Sequence, residues 1–116
     1  MQGQRWGRII HIMGSSEPSG LNAANPAKAA VHVWAKGLSR VVGRVGITVN
    51  GLAPGRIHRE PIDQRIYPTA ESQHAFAAQI PLGYFGEPAD MAFLMACLCS
   101  PRARDLRGAR IHVAGD

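Results

Sequence analysis

Lys28 is the residue of this chain whose surroundings most clearly prepare it for chemistry. It opens the run Lys28-Ala29-Ala30-Val31-His32-Val33-Trp34-Ala35-Lys36-Gly37-Leu38, which leads into Gly46-Ile47-Thr48-Val49-Asn50-Gly51-Leu52-Ala53-Pro54-Gly55-Arg56-Ile57. A lysine delivered near the start of a helix, then a buried strand closed by a Pro-Gly turn, is the layout of a nucleotide-binding α/β unit. Other reactive side chains form no comparable arrangement. His11, His32, His58, His74 and His112 contain no H-x-x-x-H and no Cys/His pair at zinc spacing, so no metal site is expected. Cys97 and Cys99 stand two residues apart in the apolar run from Met91, which Glu87-Pro88 and Asp90 mark as a helix. Residues so spaced point apart, which argues against a disulfide or a shared metal and makes buried free thiols the expectation.

The elements that must hold Lys28 follow from periodicity. Val31, Trp34, Leu38, Val41, Val42 and Val45 fall at three- and four-residue steps and predict one buried helix face, with Lys36, Arg40 and Arg44 on the other. Gly43 and Gly46 end that helix, so Gly43-Arg44-Val45-Gly46 reads as a helix stop and not as an RNA-binding G-x-x-G loop. From Ile47 to Leu52 the β-branched, uncharged residues predict a strand buried on both faces, as in a parallel sheet with right-handed crossovers. Residues 14–24 and 56–68 read as irregular, the first because Ser, Pro, Gly and Asn break any periodicity. A helix is expected over 69–79, with Thr69 or Glu71 near its start.

Length and charge bound the function. A chain of 116 residues suits one domain with a modest core and has room for about three strands, whereas a dinucleotide fold uses about six. No G-x-G-x-x-G occurs, and Gly14-Ser15-Ser16-Glu17-Pro18-Ser19-Gly20 lacks its spacing. The net charge is +5, and eleven of the thirteen basic residues are arginine. Without aromatic stacking stripes, charge blocks or a known module, this balance does not amount to a nucleic-acid interface. The apolar run around Met91 is too short to cross a membrane, and two cysteines without a signal peptide suggest a reducing, cytoplasmic setting.

Several ordered blocks together resemble the short-chain dehydrogenase/reductase family, and members similar to 3-oxoacyl-carrier-protein reductases in particular. Arg8-Ile9-Ile10-His11-Ile12 resembles the family's fifth strand, Ile47 to Leu52 its sixth, and Gly108-Ala109-Arg110-Ile111-His112-Val113 its seventh. Ile80-Pro81-Leu82-Gly83-Tyr84-Phe85-Gly86-Glu87-Pro88 is similar to the segment before its last helix. The resemblance covers the family's second half only. It implies an α/β fold: a partial Rossmann-like three-layer arrangement of about three parallel strands with flanking helices, in which residues 1–116 form a single partial domain lacking the dinucleotide-phosphate half. The chain accordingly looks like a C-terminal fragment or a truncated gene product, with Met1 keeping a genuine short protein open.

The resemblance also implies NAD(P)-dependent hydride transfer on a small carbonyl or hydroxyl substrate, with a 3-oxoacyl thioester as one such substrate. The family's lysine falls on Lys28, which would bind the nicotinamide ribose, but the tyrosine four residues earlier falls on Ala24. A methyl group transfers no proton. The family's serine position falls on Gly14, leaving Ser15 as the nearest catalytic candidate, although a turn-capping hydroxyl is the simpler reading of Ser15. Pro54, Gly55 and Ile57 correspond to the backbone that would bond the nicotinamide carboxamide, while Arg59 stands where a threonine is usual. NAD and NADP remain alternatives, because the residue that distinguishes them belongs to the missing half. In the family the lysine helix and the last strand and helix build subunit interfaces. That implies a homo-oligomer, or association with a full-length relative, and opens the alternative of a catalytically inactive oligomerisation or interaction protein.

Overall fold

The computed structural model describes residues 1–14, 20–58 and 62–113. Three strands, β1 (Gly7–Ile12), β2 (Ile47–Pro54) and β3 (Arg110–Val113), form one sheet in the order β1-β2-β3. Both pairings are parallel, with Gly7 opposite Ile47 and His11 opposite Gly51 on one side of β2, and Gly51 opposite Arg110 on the other. The expected three parallel strands are therefore present. β2 lies between the other two and is buried along Ile47–Ala53, which is why its sequence carries no charge.

Among the described residues four α-helices accompany the sheet: α1 (Ala24–Val42), α2 (Ile62–Ile66), α3 (Ala70–Ala77) and α4 (Pro88–Cys99). Strand periodicity sends alternate side chains to opposite faces. Val49 and Ile47 pack with Ile9 against Ala35, Leu38 and Val42 of α1. On the other face Leu52, Ile10 and Ile111 pack with Met91, Leu94 and Leu98 of α4. This is the three-layer arrangement expected. Asn50, almost fully buried, ties the approach to β3: its Nδ2 donates to the Leu106 carbonyl at 2.8 Å, and its Oδ1 accepts from the Ala109 amide at 3.1 Å.

Local signals set the ends. Thr69 caps α3 by accepting from the Ser72 amide at 3.1 Å, while the Ser72 hydroxyl accepts from the Thr69 amide at 3.2 Å. Asp90 accepts from the Glu87 amide at 2.8 Å, and Pro88 follows as the first residue of α4. Gly46, at φ +73°, closes the turn into β2 where a side chain would strike the Arg5 carbonyl.

Three expectations require correction. The buried face of α1 matches only half of the expected stripe: Val42 is buried and Leu38 and Val45 pack beside it, but Trp34 is 63 % and Val41 73 % exposed, and Ala35 and Ser39 are buried instead. Small residues at Ala35 and Ser39 let the helix axis approach the sheet, a packing advantage that hydrophobicity alone does not report. Cys97 and Cys99 are free but exposed, because α4 buries Met91 and Leu98 and both thiols lie outside that stripe. The segment 56–68 also contains α2.

Candidate active site

The carboxyl end of β1 and the first turns of α1 meet at Gly14. A Cβ placed on Gly14 would lie 3.0 Å from Asn25 Oδ1 and 3.1 Å from Lys28 Cδ. The helix start is fixed locally, because Asn22 Oδ1 accepts from the amides of Ala24 and Asn25 at 3.0 and 3.1 Å. Lys28, on the second turn, thus lays its alkyl stem against Gly14 and remains exposed. From the opposite edge of the sheet, Arg110 Nη2 donates to the Gly14 carbonyl at 3.4 Å. Lys28, Asn25 and Arg110 therefore gather around one glycine. Ala24, four residues before Lys28, offers a methyl group, and the two tyrosines do not replace it. Tyr67 is buried against Phe76 and Phe85 at ring distances of 4.8 and 5.6 Å, and Tyr84 lines an open cleft of about 620 Å³ beside α3. Ser15 and Arg59 lie outside the described residues.

The turn after β2 presents selected backbone groups. Pro54 still pairs with Val113, and the Gly55 amide donates to the Val113 carbonyl at 2.9 Å, so that amide is taken by the sheet. Ile57 forms a parallel bridge with Gly86, in which Gly86 N–H donates to the Arg56 carbonyl and His58 N–H to the Gly86 carbonyl. Both bonds use the neighbours of Ile57. Its own amide and carbonyl take part in no hydrogen bond among the described residues.

The family model described as enoyl-(acyl carrier protein) reductase matches residues 1–115, which takes in the Gly14–Lys28 junction, the Pro54–Ile57 turn and all three strands. The chain belongs to the short-chain dehydrogenase/reductase family. It is 36% identical over 118 residues to the 3-oxoacyl-[acyl-carrier-protein] reductase FabG of Vibrio cholerae, covering 99% of this chain and 47% of that protein. To the protein of the same name from Pseudomonas aeruginosa it is 37% identical over 114 residues, covering 96% and 45%. The chain spans about half the length of the curated relatives it matches. Among solved structures, YwfH, described as an NADPH dependent reductase involved in bacilysin biosynthesis, superposes with a TM-score of 0.89 at 29% identity, covering 98% of this chain and 48% of that one. The Pseudomonas aeruginosa RhlG/NADP active-site complex superposes with a TM-score of 0.82 at 29% identity, covering 93% and 45%.

A second group of side chains, which spacing in the sequence does not reveal, lies behind Gly14. His11 of β1 and His32 of α1 face each other with ring centroids 6.0 Å apart. Burial holds the His11 pKa below 6.5, the charge of a protonated His32 lowers it further, and the Asn50 backbone acts weakly the other way. The imidazole fits because Gly51, opposite it, has no side chain: a Cβ there would come within 2.6 Å of both His11 Nε2 and Met13 Sδ. The available signal was strand alternation, which sends His11, Met13 and Arg110 to the α1 face.

Proposed function

We propose that this chain carries the lysine side of an NAD(P)-dependent oxidoreductase site acting on a small carbonyl or hydroxyl compound, a 3-oxoacyl thioester being the class its relatives' names suggest. The observation that supports this reading best is the seating of Lys28 against Gly14 at the carboxyl end of β1, where ligands of open α/β sheets bind. A nicotinamide cofactor, when bound, supplies or accepts a hydride. Lys28 would hold its ribose, and the Ile57 amide and carbonyl its carboxamide. Pro54 and Gly55 shape that turn, with Gly55 contributing conformation and not its amide. Ser15 is the candidate for the substrate oxygen. Ala24 leaves the proton without a carrier, which in an otherwise complete site costs roughly 10²- to 10⁴-fold in rate. A cytoplasmic setting accords with two free thiols.

A second reading is favoured by α1. Ala30, Val33, Trp34, Gly37 and Val41 fall at three- and four-residue steps, and all are exposed. In this reading the chain is a non-catalytic interaction protein that pairs with itself or with a longer relative. Titration with NADH and NADPH, read by nicotinamide fluorescence on a sample sized by light scattering, separates the two. The first reading expects saturable binding that Lys28→Ala weakens about tenfold, as loss of a charged hydrogen bond would. An absence of binding by a folded, monodisperse sample leaves the interaction reading.

A further inference from the structure

The α1 face of the sheet holds basic and imidazole nitrogens short of hydrogen-bond partners among the described residues. His11 Nδ1 and Nε2, His32 Nδ1 and Arg110 Nε are all buried and make no well-formed hydrogen bond among the described residues, the Asn50 backbone lying near enough to His11 to act on its pKa without good hydrogen-bond geometry. They belong to one neighbourhood. His11, Gly51 and Arg110 form a single transverse row across the three strands, so the Cα atoms of His11 and Arg110 lie about two strand spacings, roughly 10 Å, apart. Gly51 has no side chain in the middle of that row, and the His11 imidazole and Met13 Sδ share the space above it. Arg110 reaches back across β2 to the Gly14 carbonyl, which brings its guanidinium over the same lane. His32 closes the group from the helix above.

No carboxylate occurs anywhere in β1, β2, β3 or α1, although these elements carry Arg8, His11, Lys28, His32, Lys36, Arg40, Arg110 and His112. A buried donor left unmatched is costly, and a guanidinium disfavours a second cation beside it. Oxygen acceptors bearing negative charge satisfy both conditions, since Arg Nε and one nitrogen of each neutral imidazole are N–H donors. The geometry points to a small-oxyanion site on the α1 face of the sheet, with His11, His32 and Arg110 as its donors and Lys28 at its outer edge, taking a carboxylate or a phosphate group. An anion bound there would oppose the burial and the His32 charge that lower the His11 pKa, because a neighbouring anion favours imidazolium. The site does not depend on the nicotinamide reading, and its test contains no nucleotide.

The test is a titration of the intact chain with inorganic phosphate, and separately with acetate, at constant ionic strength, followed by the imidazole resonances in long-range ¹H–¹⁵N spectra. His58 and His74, beside the α3 cleft, serve as internal references. The expected result is a saturable one-site shift of the His11 and His32 resonances, upward movement of the His11 pKa, and affinity reduced about tenfold or more in Arg110→Gln. Tighter binding of phosphate assigns a phosphate-type ligand; tighter binding of acetate assigns a carboxylate. If circular dichroism shows Arg110→Gln to be unfolded, His32→Gln, on the helix surface above, provides the same comparison. Shifts that do not saturate, that chloride reproduces, or that persist unchanged in the folded variant overturn the proposal and leave water as the partner of these nitrogens.

Discussion

His11 makes the seating of α1 sensitive to pH. Its folded-state pKa lies below the 6.5 of an exposed histidine, so the unfolded chain takes up its proton first as pH falls. Between the folded value and 6.5 the unfolded state binds more protons, and stability therefore rises with pH across that window. Below the folded value the contribution is lost entirely. The expected outcome is a urea midpoint higher at about pH 7.5 than at about pH 5.5, with the difference reduced in His11→Leu, a change that keeps the lane over Gly51 filled. An equal pH dependence in the leucine variant would show that other groups carry it. The same imidazole illustrates how far single residues were legible. Lys28 could be found because a helix motif surrounds it in sequence. His11, His32 and Arg110 could not, since the fold alone brings together residues from β1, α1 and β3.

At the scale of elements, the chain was read most reliably where composition and periodicity agree. β2 is uncharged and β-branched, and it is buried at every position from Ile47 to Ala53. α4 begins at the expected Glu87-Pro88 junction, with Asp90 returning to the Glu87 amide. β3 starts later than the Gly108–Val113 block implies, because Gly108 takes φ +64° and the Ala109 amide is already held by Asn50. Faces were less legible than elements. Along α1 the valines and Trp34 outweigh Ala35 and Ser39 in hydrophobicity, yet close packing selected the small residues. α4 is apolar nearly all round, so nothing in its sequence singles out the exposed positions Phe93, Cys97 and Cys99. That exposure is measurable. Both thiols should react with Ellman's reagent in the folded chain at rates near those of a small free thiol, giving a stoichiometry of about two before denaturant is added. Protection of both, relieved only by dilution or denaturant, would mean that another surface covers α4.

The whole molecule is more extended than its length requires. Its radius of gyration is 16.4 Å, with extents of 52 × 29 × 24 Å, against about 13 Å for a compact domain of this size. A three-stranded sheet with one long helix on each face leaves much of both helices uncovered. The exposed side of α1 is the more interface-like: Val33 and Val41 are each 73 % exposed, and a Cβ on Gly37 between them would meet nothing within 4 Å. A flat stripe centred on glycine admits a second helix at short axial distance, and the tryptophan beside it supplies the large apolar area that anchors such contacts. The residues of the stripe are themselves uncharged, and exposed Arg40 borders it beside Gly37. Sedimentation over a range of concentrations should therefore show a reversible monomer–dimer equilibrium. Gly37→Glu and Trp34→Glu, both on the solvent side of α1, should each weaken it about tenfold or more while leaving the circular dichroism unchanged. Phe93→Glu on α4 is the control of equal exposure on the opposite face. If the control weakens association as strongly and the α1 variants do not, the pairing surface is α4, and reduced thiol reactivity should accompany it. A monomer at every concentration would remove the self-pairing form of the interaction reading and leave a longer relative as the partner to test on the same stripe.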